Sequence, residues 1–459
     1  MSTTVPPTER APSAHPPAPP SATFDSPLFA LASAAASRVD NAPAWLVARR
    51  TAAAQRFAEL GVPNTRNEDW HYTNPQPIAA ASLTLPTPDT AGQSRVSSAD
   101  LSPYTFGHPE WPTLAFINGR FAPQLSNVEA LPAGVRVLDL ETAWKEEGAL
   151  LDAHLGTVAV APEAAAFTAL NTACLADGAV IIVAKEMVVE TPIHLLWITD
   201  ANGLGALSSP RTLVLVERHA TATVIESFLG VGAREYVTNA VGEVVLEDGA
   251  TLHHTKVQRE PDSALHVGTI QARQARDSHY LSFSFHTGAH LGRTNIYTTL
   301  AGEGAGATLN GLYMLDGSQH GDHQTRIEHA EPNCFSRETY KGILDGHSHG
   351  VFNGKVYVHP IAQKTDGKQT NNTLLLSKDA QIDTKPQLEI FADDVKCTHG
   401  ATVGQIDRQA LFYFTSRGID EETARRLLVY AFAADVLETI EAPAVRDALE
   451  ELAMARYTD

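Results

Sequence analysis

The stretches TLVLVERHATATVIESF (212–228) and GEVVLEDGATLHHTKVQ (242–258) decide the fold class of this 459-residue chain. Each contains short runs rich in Val, Ile, Leu and Thr that are interrupted by a polar turn, a pattern typical of β-strands. The same pattern continues outward through residues 179–198, 280–289 and 294–315. No helical pattern between these runs is long enough to build βαβ units. We therefore predict a mainly β fold.

Small residues recur near the polar turns at a loose period. They are Ala220, Ala250, Ser278 and Ala307, at spacings of 30, 28 and 29 residues. Self-similarity on this scale predicts a stacked solenoid, which in an all-β sequence means a β-helix whose coils bury their inward residues on one another. A sandwich or jelly roll also has evenly spaced short strands, so the period alone leaves that alternative open.

The composition of the chain limits which classes of partner and which cellular compartment we expect. The formal net charge of −19 argues against nucleic acid or an anionic membrane as partner, and no run approaches the ~18 apolar residues of a membrane span. Residues 1–23 are rich in Pro, Ser and Ala and lack a signal-peptide pattern, so we predict a disordered tail. Three cysteines are too few for a disulfide framework, and we expect a cytoplasmic protein with free thiols.

Helical patterns flank the β region. Pro43 and Gly61 are start and stop signals around the run 44–60, and Asp420 can cap a helix near the C-terminus. In that C-terminal helix the apolar residues at helical spacing are Leu427, Leu428, Ala431, Phe432, Val436 and Ile440. The predicted division is a tail (1–23), an N-terminal helical and mixed region (24–150), a β-helix core (151–408) and a C-terminal helical region (409–459).

The clearest chemical pattern is the pair Cys397 and His399 in KCTHG (396–400). Thiolate and imidazole both bind soft or borderline metals. In an extended segment, residues two apart lie on the same face. One such face supplies half of a metal site, and the other half has to come from elsewhere.

Other histidines and carboxylates suggest rival sites. A cupin-like metal site is suggested by five histidines, namely His320, His323, His329, His347 and His349. The cupin spacing of His-x-His followed closely by Glu is absent, because GVFN follows His349, so we expect these residues to belong to the solenoid. Acids suggestive of glycosidase or lyase chemistry are Glu389, Asp393 and Asp394, but the chain lacks a clear paired carboxylate.

The remaining cysteines and missing motifs limit the chemistry further. Cys174 and Cys334 are expected to pack as small hydrophobes, with a secondary sulfur-handling role for Cys334 as the alternative. The sequence contains neither a P-loop nor a Gly-x-Gly-x-x-Gly after a strand. An iron–sulfur cluster takes about four ligands, so any cluster here has to be transient or shared with another subunit.

Long runs of this sequence resemble the SufD family of iron–sulfur cluster assembly scaffolds. The matching runs are DTKPQLEIFADDVKCTHGATVGQID (383–407), LFYFTSRGI (411–419), HQTRIEHAEPNCFSRETYKGIL (323–344) and GVFNGKVYVHPIAQKTDGKQTNNTLLLS (350–377). Near the N-terminus, an R-x-E-x-W-x-Y-T signature of SufB/SufD-type proteins is matched by Arg66, Glu68, Trp70, Tyr72 and Thr73. For this loop we expect a packing role.

Two departures separate the chain from the paralogue SufB. SufB-like proteins carry a cysteine where this chain has Asn371 and Asn372, and a Glu-rich E-H-E-A-T where it has CTHGATVG (397–404). Both departures favour the SufD side of the family.

The resemblance implies a right-handed parallel β-helix core flanked by helical regions, and a non-catalytic scaffold role. It implies pairing with SufB through the β-helix ends and binding of the ABC-type ATPase SufC through the C-terminal helices. His399 would be a metal ligand or proton-handling group at the SufB interface, with Cys397 as a weaker contributor. The candidate ATPase contacts are Gly418, Ile419, Leu428 and Phe432.

The expected cargo is a transient iron or iron–sulfur cluster shared with SufB, with no cofactor held tightly by the isolated chain. A homodimer is plausible when the chain is alone, because solenoid ends expose strand edges. Two alternatives remain at this point: a cupin-like metal-dependent enzyme, and a purely structural β-helix adaptor.

Overall fold

The computed structural model describes residues 26–38, 40–87, 89–128, 131–202 and 205–456, so the predicted tail 1–23 lies outside the described residues. The strands are β1 (Thr113–Ile117), β2 (Arg120–Phe121), β3 (Val135–Asp139), β4 (Ala179–Val183), β5 (Ile193–Asp200), β6 (Leu207–Ser208), β7 (Arg211–Val216), β8 (Thr221–Val231), β9 (Tyr236–Leu246), β10 (Thr251–Glu260), β11 (Ala264–Gln274), β12 (His279–Gly288), β13 (Leu291–Leu300), β14 (Gly306–Leu315), β15 (His320–His329), β16 (Phe335–Leu344), β17 (His349–Val358), β18 (Asp366–Leu375), β19 (Gln381–Ile390) and β20 (Lys396–Gly404).

Helices precede and follow the long run of strands from β4 to β20. They are α1 (Pro27–Ala36), α2 (Ala44–Leu60), α3 (Gln76–Ala80), α4 (Thr90–Gln93), α5 (Ser98–Leu101), α6 (Leu140–Glu146), α7 (Gly148–His154), α8 (Ala165–Cys174), α9 (Arg408–Thr415), α10 (Glu421–Leu437) and α11 (Pro443–Ala455).

The strands form two sheets that wind into a solenoid of about eight turns. Sheet 1 has the order β2-β1-β5-β8-β10-β12-β14-β16-β18-β20, and sheet 2 has the order β19-β17-β15-β13-β11-β9-β7-β4-β3. From β5 onward, consecutive strands alternate between the sheets, apart from the short β6, and each pairs in parallel with the strand one coil earlier. The predicted parallel β-helix is therefore confirmed.

The sheets end differently at the two ends of the solenoid. At the N-terminal end, β2 pairs antiparallel with β1 and β3 pairs antiparallel with β4. At the C-terminal end, among the described residues, β19 pairs only with β17 and β20 only with β18. Proline has no N–H to donate, and Pro386 lies in the middle of β19. We call the edges of β19 and β20 the open end.

The period of small residues seen in the sequence identifies equivalent positions in successive coils, with one residue placed incorrectly. Ala220, Ala250 and Ser278 are equivalent, because their carbonyl oxygens accept hydrogen bonds of 2.8, 2.8 and 2.9 Å from the N–H groups that open the next coils. The fourth equivalent residue is Ala305, since Gly306 is in register with His279; the prediction of Ala307 is wrong by two residues. Coil lengths vary with their turns, so a fixed spacing drifts.

This column of small residues continues into the last coils through Cys334 and Thr365, each 1 % exposed. Burial in the column raises the pKa of the Cys334 thiol to about 11. Cys174, on α8, is also buried, and burial raises its pKa to about 12. Both thiols stay protonated at neutral pH and pack as small apolar groups.

Helices cover the outer faces of both sheets. On sheet 2, apolar residues of α1, α2 and α8, such as Leu28, Phe57 and Phe167, pack against Val237 and Leu265. The predicted boundary at residue 151 falls inside α7, and the strands that join the solenoid begin earlier, at β1.

On sheet 1, α10 and α11 pack against a row of outward apolar side chains that includes Val257, Phe285 and Leu312. The buried residues of α10 are Ala424, Val429, Ala433, Val436 and Leu437. The predicted apolar face is therefore partly wrong. Ala431 is exposed and Leu427 and Leu428 are only half-buried, because α10 contacts both the sheet and α11.

Candidate functional site

Cys397 and His399 lie on β20, the last strand of sheet 1. Cys397 is in register with Gly367 and His399 with Gln369, both on β18. Alternation along the strand turns both side chains toward the interior side of the sheet. No strand of the described chain follows β20, so the pair lies at the mouth of the solenoid.

Cys397 is half-buried among apolar side chains that include Val356 and Leu388. Gly367 leaves a gap beside it, since a Cβ atom there would lie 3.4 Å from Cys397 Sγ and 3.5 Å from Ser336 Oγ. Burial raises the pKa of the Cys397 thiol. The thiol is therefore protonated at neutral pH unless a metal or a cation comes close.

His399 is exposed, and the residues that follow it, from Gly400 to Gln405, are exposed as well. Its ring is thus free to meet a group that approaches the open end. Beside it, on the interior side, Gln369 is 2 % exposed and donates from Nε2 to Glu338 Oε2 at 2.6 Å. Burial raises the pKa of Glu338 to about 7.

Sequence reasoning missed Gln369 and Glu338 as neighbours of the pair. They precede His399 by one and two coils along the same interior column, Glu338, Gln369 and His399. The period of about 30 residues is the signal that points to them. Gly354, across the interior, makes room for Gln369, because a Cβ atom at this position would overlap Gln369 Nε2.

Deeper in the solenoid lies a second buried polar group that the sequence did not suggest. Glu226 accepts from Trp197 Nε1 at 2.8 Å and pairs with His254 Nε2 at 2.9 Å, while His254 Nδ1 lies 2.9 Å from the Tyr280 hydroxyl. All four side chains are buried. Their mutual hydrogen bonds satisfy buried polar atoms, which is a structural role.

The five histidines of the cupin-like alternative do not converge on one point, although the ring centres of His320 and His349 lie 4.8 Å apart. His320 and His349 are on the outer face of sheet 2, where His349 Nε2 lies 2.7 Å from Asp383 Oδ2. His323 is inside the solenoid, stacked on Tyr313. The two others are His329, which is bonded to Ser336, and His347, which is exposed in a turn.

No group of three or more His, Cys, Asp or Glu side chains in the described ranges is arranged to hold a metal ion. Two acids of the glycosidase or lyase alternative are paired with lysines. Glu389 pairs with Lys355 at 3.5 Å, and Asp394 pairs with Lys364. These acids form surface ion pairs, so neither alternative gains a site.

The signature loop near the N-terminus packs on the outer face of sheet 2. The guanidinium of Arg293 lies 4.0 Å from the Trp70 ring centre and 2.6 Å from Asp322. Thr73 donates to the same Asp322 carboxylate at 2.6 Å. Arg293 is fully buried, so the loop closes over a buried ion pair and serves packing.

The candidate ATPase contacts lie around the junction of α9 and α10. Gly418 is exposed with φ of 86°, and Ile419 is half-buried. Leu428 and Phe432 are half-buried on α10. None of the residues of α9 is buried, and Phe412 and Tyr413 are 72 % and 54 % exposed.

A cavity of about 470 Å³ lies beside this junction, lined in part by Leu376, Ile406 and Phe412. Exposed aromatic side chains next to a cavity are typical of a protein-binding surface. Within the described part of the chain, none of the helices combines the length and apolar character that crossing a membrane requires.

Comparisons with known proteins agree with this arrangement. Residues 197–432 match the description "SUF system FeS cluster assembly, SufBD core domain", and residues 28–195 match "SufBD protein N-terminal region". An iron–sulfur cluster assembly SufBD family protein of Synechocystis is 32 % identical over 419 residues, which cover 90 % of this chain and 91 % of the relative.

Two relatives are named iron–sulfur cluster assembly protein SufD. The one from Escherichia coli is 32 % identical over 84 % of this chain and 87 % of the relative. The one from Bacillus subtilis is 26 % identical over 89 % of this chain and 93 % of the relative. The chain therefore belongs to the SufBD family of iron–sulfur cluster assembly proteins, on the side whose members are named SufD.

Proposed function

We propose that this chain is a non-catalytic scaffold subunit of a cytoplasmic Suf-type complex. It pairs with a SufB-like paralogue at the open end and binds a SufC-like ABC ATPase through its C-terminal helices. The observation that carries the proposal is the position of Cys397 and His399 on β20, a strand that the described chain pairs on one side only.

The open end suits a strand from another subunit. A sheet edge presents unpaired N–H and C=O groups, and a second chain can pair with them. Pro386 removes one donor from β19, whereas β20 contains no proline. A partner strand on β20 would bring its own side chains next to Cys397 and His399, so two half-sites would become one.

His399 is the stronger ligand of the pair. Imidazole binds metals in its neutral form, and the ring of His399 is exposed. Cys397 is half-buried and protonated, so it contributes once a metal or a partner's charge stabilises the thiolate. The iron or iron–sulfur cluster is cargo here, held between this chain and a cysteine of the partner.

The surface around α9 suits the ATPase. Phe412 and Tyr413 offer apolar area, and the turn at Gly418 and Ile419 connects α9 to α10. Because α10 is packed on sheet 1, a force applied at this junction is transmitted to the solenoid. ATP-driven movement of the partner would in this way reshape the interface at the open end.

Co-purification of the tagged full chain from its own host tests the assembly. We expect an ABC-type ATPase and a cysteine-bearing paralogue to be recovered. His399→Ala should retain both partners and lose most cluster delivery, because the variant removes one exposed ligand. His347→Ala, at another exposed histidine, is the matched control and should behave as the wild type.

Three outcomes contradict the proposal. Loss of the complex in His399→Ala would make the residue structural. Normal cluster delivery in the double variant Cys397→Ser/His399→Ala would reduce the chain to an adaptor. Recovery of the chain alone, as a homodimer or with a stoichiometric metal, would remove the proposed partners.

A further inference from the structure

Gln369, on β18, has one satisfied and one unsatisfied amide atom. Nε2 donates to Glu338 Oε2 at 2.6 Å, whereas Oε1 is buried and has no hydrogen-bond partner within the described residues. A buried acceptor without a donor loses the hydrogen bonds that it would make in water, which destabilises the folded state. Gln369 Oε1 therefore lacks a donor, and no described side chain, His399 included, supplies one in this conformation.

The orientation of this amide follows from its surroundings. In the structure the amide turns its NH₂ group toward the Glu338 carboxyl group, to which Nε2 donates, and its oxygen away from it. Gly354 confines the NH₂ group from the opposite sheet, because a Cβ atom there would overlap it. Gln369 Oε1 is thus directed by two neighbours.

The side chain that follows Gln369 in this column belongs to His399. The two residues are in register in the parallel ladder of β18 and β20, and both face the interior side. In-register strands lie about 4.8 Å apart, within reach of two long side chains. An imidazole N–H is a donor of the kind that Gln369 Oε1 lacks.

We propose that Gln369 is a positioning residue for His399. Its Oε1 accepts a hydrogen bond from one imidazole N–H, which selects one tautomer and leaves the other ring nitrogen, with its lone pair, directed out of the open end. Glu338, one coil earlier, fixes the orientation of the Gln369 amide by accepting a hydrogen bond from its Nε2. The inference rests on the proposed function, in which that lone pair meets a metal or a proton of the partner's side.

Nuclear magnetic resonance of the full chain with ¹⁵N-labelled histidine tests this directly. The ring signals of His399 are identified by their loss in His399→Ala. At a pH where the imidazole is neutral, we expect the wild type to show one tautomer almost exclusively. In Gln369→Met, which keeps the volume and removes the acceptor, the populations should return to those of a free imidazole.

Asn371→Leu is the matched control. Asn371 is on the same strand and face as Gln369, is fully buried, and also has an unpartnered amide oxygen, but it is in register with Ala401. This variant should leave the tautomer of His399 unchanged. A wild-type ring with the populations of free imidazole, or an unchanged ring in Gln369→Met, would overturn the proposal.

If Gln369→Met does not fold, the wild-type spectrum still tests the proposal, because a mixture of His399 tautomers in the wild type would overturn it. The tautomer is measured on the isolated chain, whereas the proposed function is measured on the complex with His399→Ala. A fixed tautomer together with normal cluster delivery would reject only the function. Mixed tautomers together with lost delivery would reject only the role of Gln369.

Discussion

Lys341 Nζ donates a hydrogen bond of 2.7 Å to the main-chain carbonyl oxygen of Phe432 and lies 4.6 Å from the centre of its ring. Lys341 belongs to β16 and Phe432 to α10, so this contact fastens the C-terminal helix to the outer face of sheet 1. The ammonium also pairs with Asp435. The helix that carries two candidate ATPase contacts is therefore held by a nearly buried cation.

Lys341→Met should loosen α10. The variant keeps much of the apolar stem and removes a charged donor, which costs roughly 1–3 kcal/mol. Urea unfolding should show this loss, and amide exchange should speed up in α10 before it does in the solenoid. Lys364→Met, at an exposed lysine paired with an exposed aspartate, should cost less than about 1 kcal/mol. Equal losses in the two variants would contradict the anchoring role.

Glu338 should make stability fall as the pH rises from about 4.5 to 7. Burial raises its folded-state pKa from 4.5 to about 7, so the folded state binds more protons than the unfolded state in this window. The cost reaches roughly 3 kcal/mol above the window, as an upper bound. Glu338→Gln removes this loss, and its unfolding free energy relative to wild type should rise across the window. Parallel profiles for the two proteins would refute this.

His323 should act in the opposite direction at acid pH. Burial lowers its pKa from 6.5 to about 3, so the unfolded state binds more protons between these values and stability falls as the pH decreases through them. The slope for one such proton is about 1.4 kcal/mol per pH unit. His323→Gln should flatten the acid limb of the stability profile, whereas the exposed control His347→Gln should not. An unchanged limb in both variants would show that His323 is not the titrating group.

Gly354→Ala should disturb the interior column below His399. The added methyl group would overlap Gln369 Nε2, and overpacking of this kind costs about 1–3 kcal/mol. Gly400→Ala, on β20, is the control, because apart from its two chain neighbours no atom of the described residues lies within 4 Å of the added methyl group. Thermal unfolding compares the two. A Gly354→Ala variant as stable as Gly400→Ala would mean that the Gln369 amide moves away freely.

The strand pattern was sufficient to predict a mainly β fold with repeating coils, whereas the resemblance to the SufD family was needed to favour a β-helix over a sandwich or jelly roll. Each coil contains two strands and two turns in the same order, so Ala220, Ala250 and Ser278 occupy equivalent positions in successive coils. The shift from Ala307 to Ala305 arose because one turn differs in length. Register depends on the turns as well as on the strands, and turn lengths vary without disturbing the interior.

The sequence pattern does not predict which distant segments are in contact. The face of α10 was misplaced because the helix packs on two neighbours, and helical periodicity describes only one stripe. Cys397 and His399 were found from local spacing, whereas Gln369 and Glu338 become their neighbours only through the ladders with β18 and β16. Residues that stack in one column on successive coils can be identified only when the register of the strands is known.

The unequal ends of the solenoid limit how copies or relatives can join. Short antiparallel strands finish the sheets at the N-terminal end, and β19 and β20 finish them at the other. A filament would require each molecule to bond at both ends. If the open end alone accepts a strand from another molecule, each molecule can make one such junction and the assembly cannot grow into a filament.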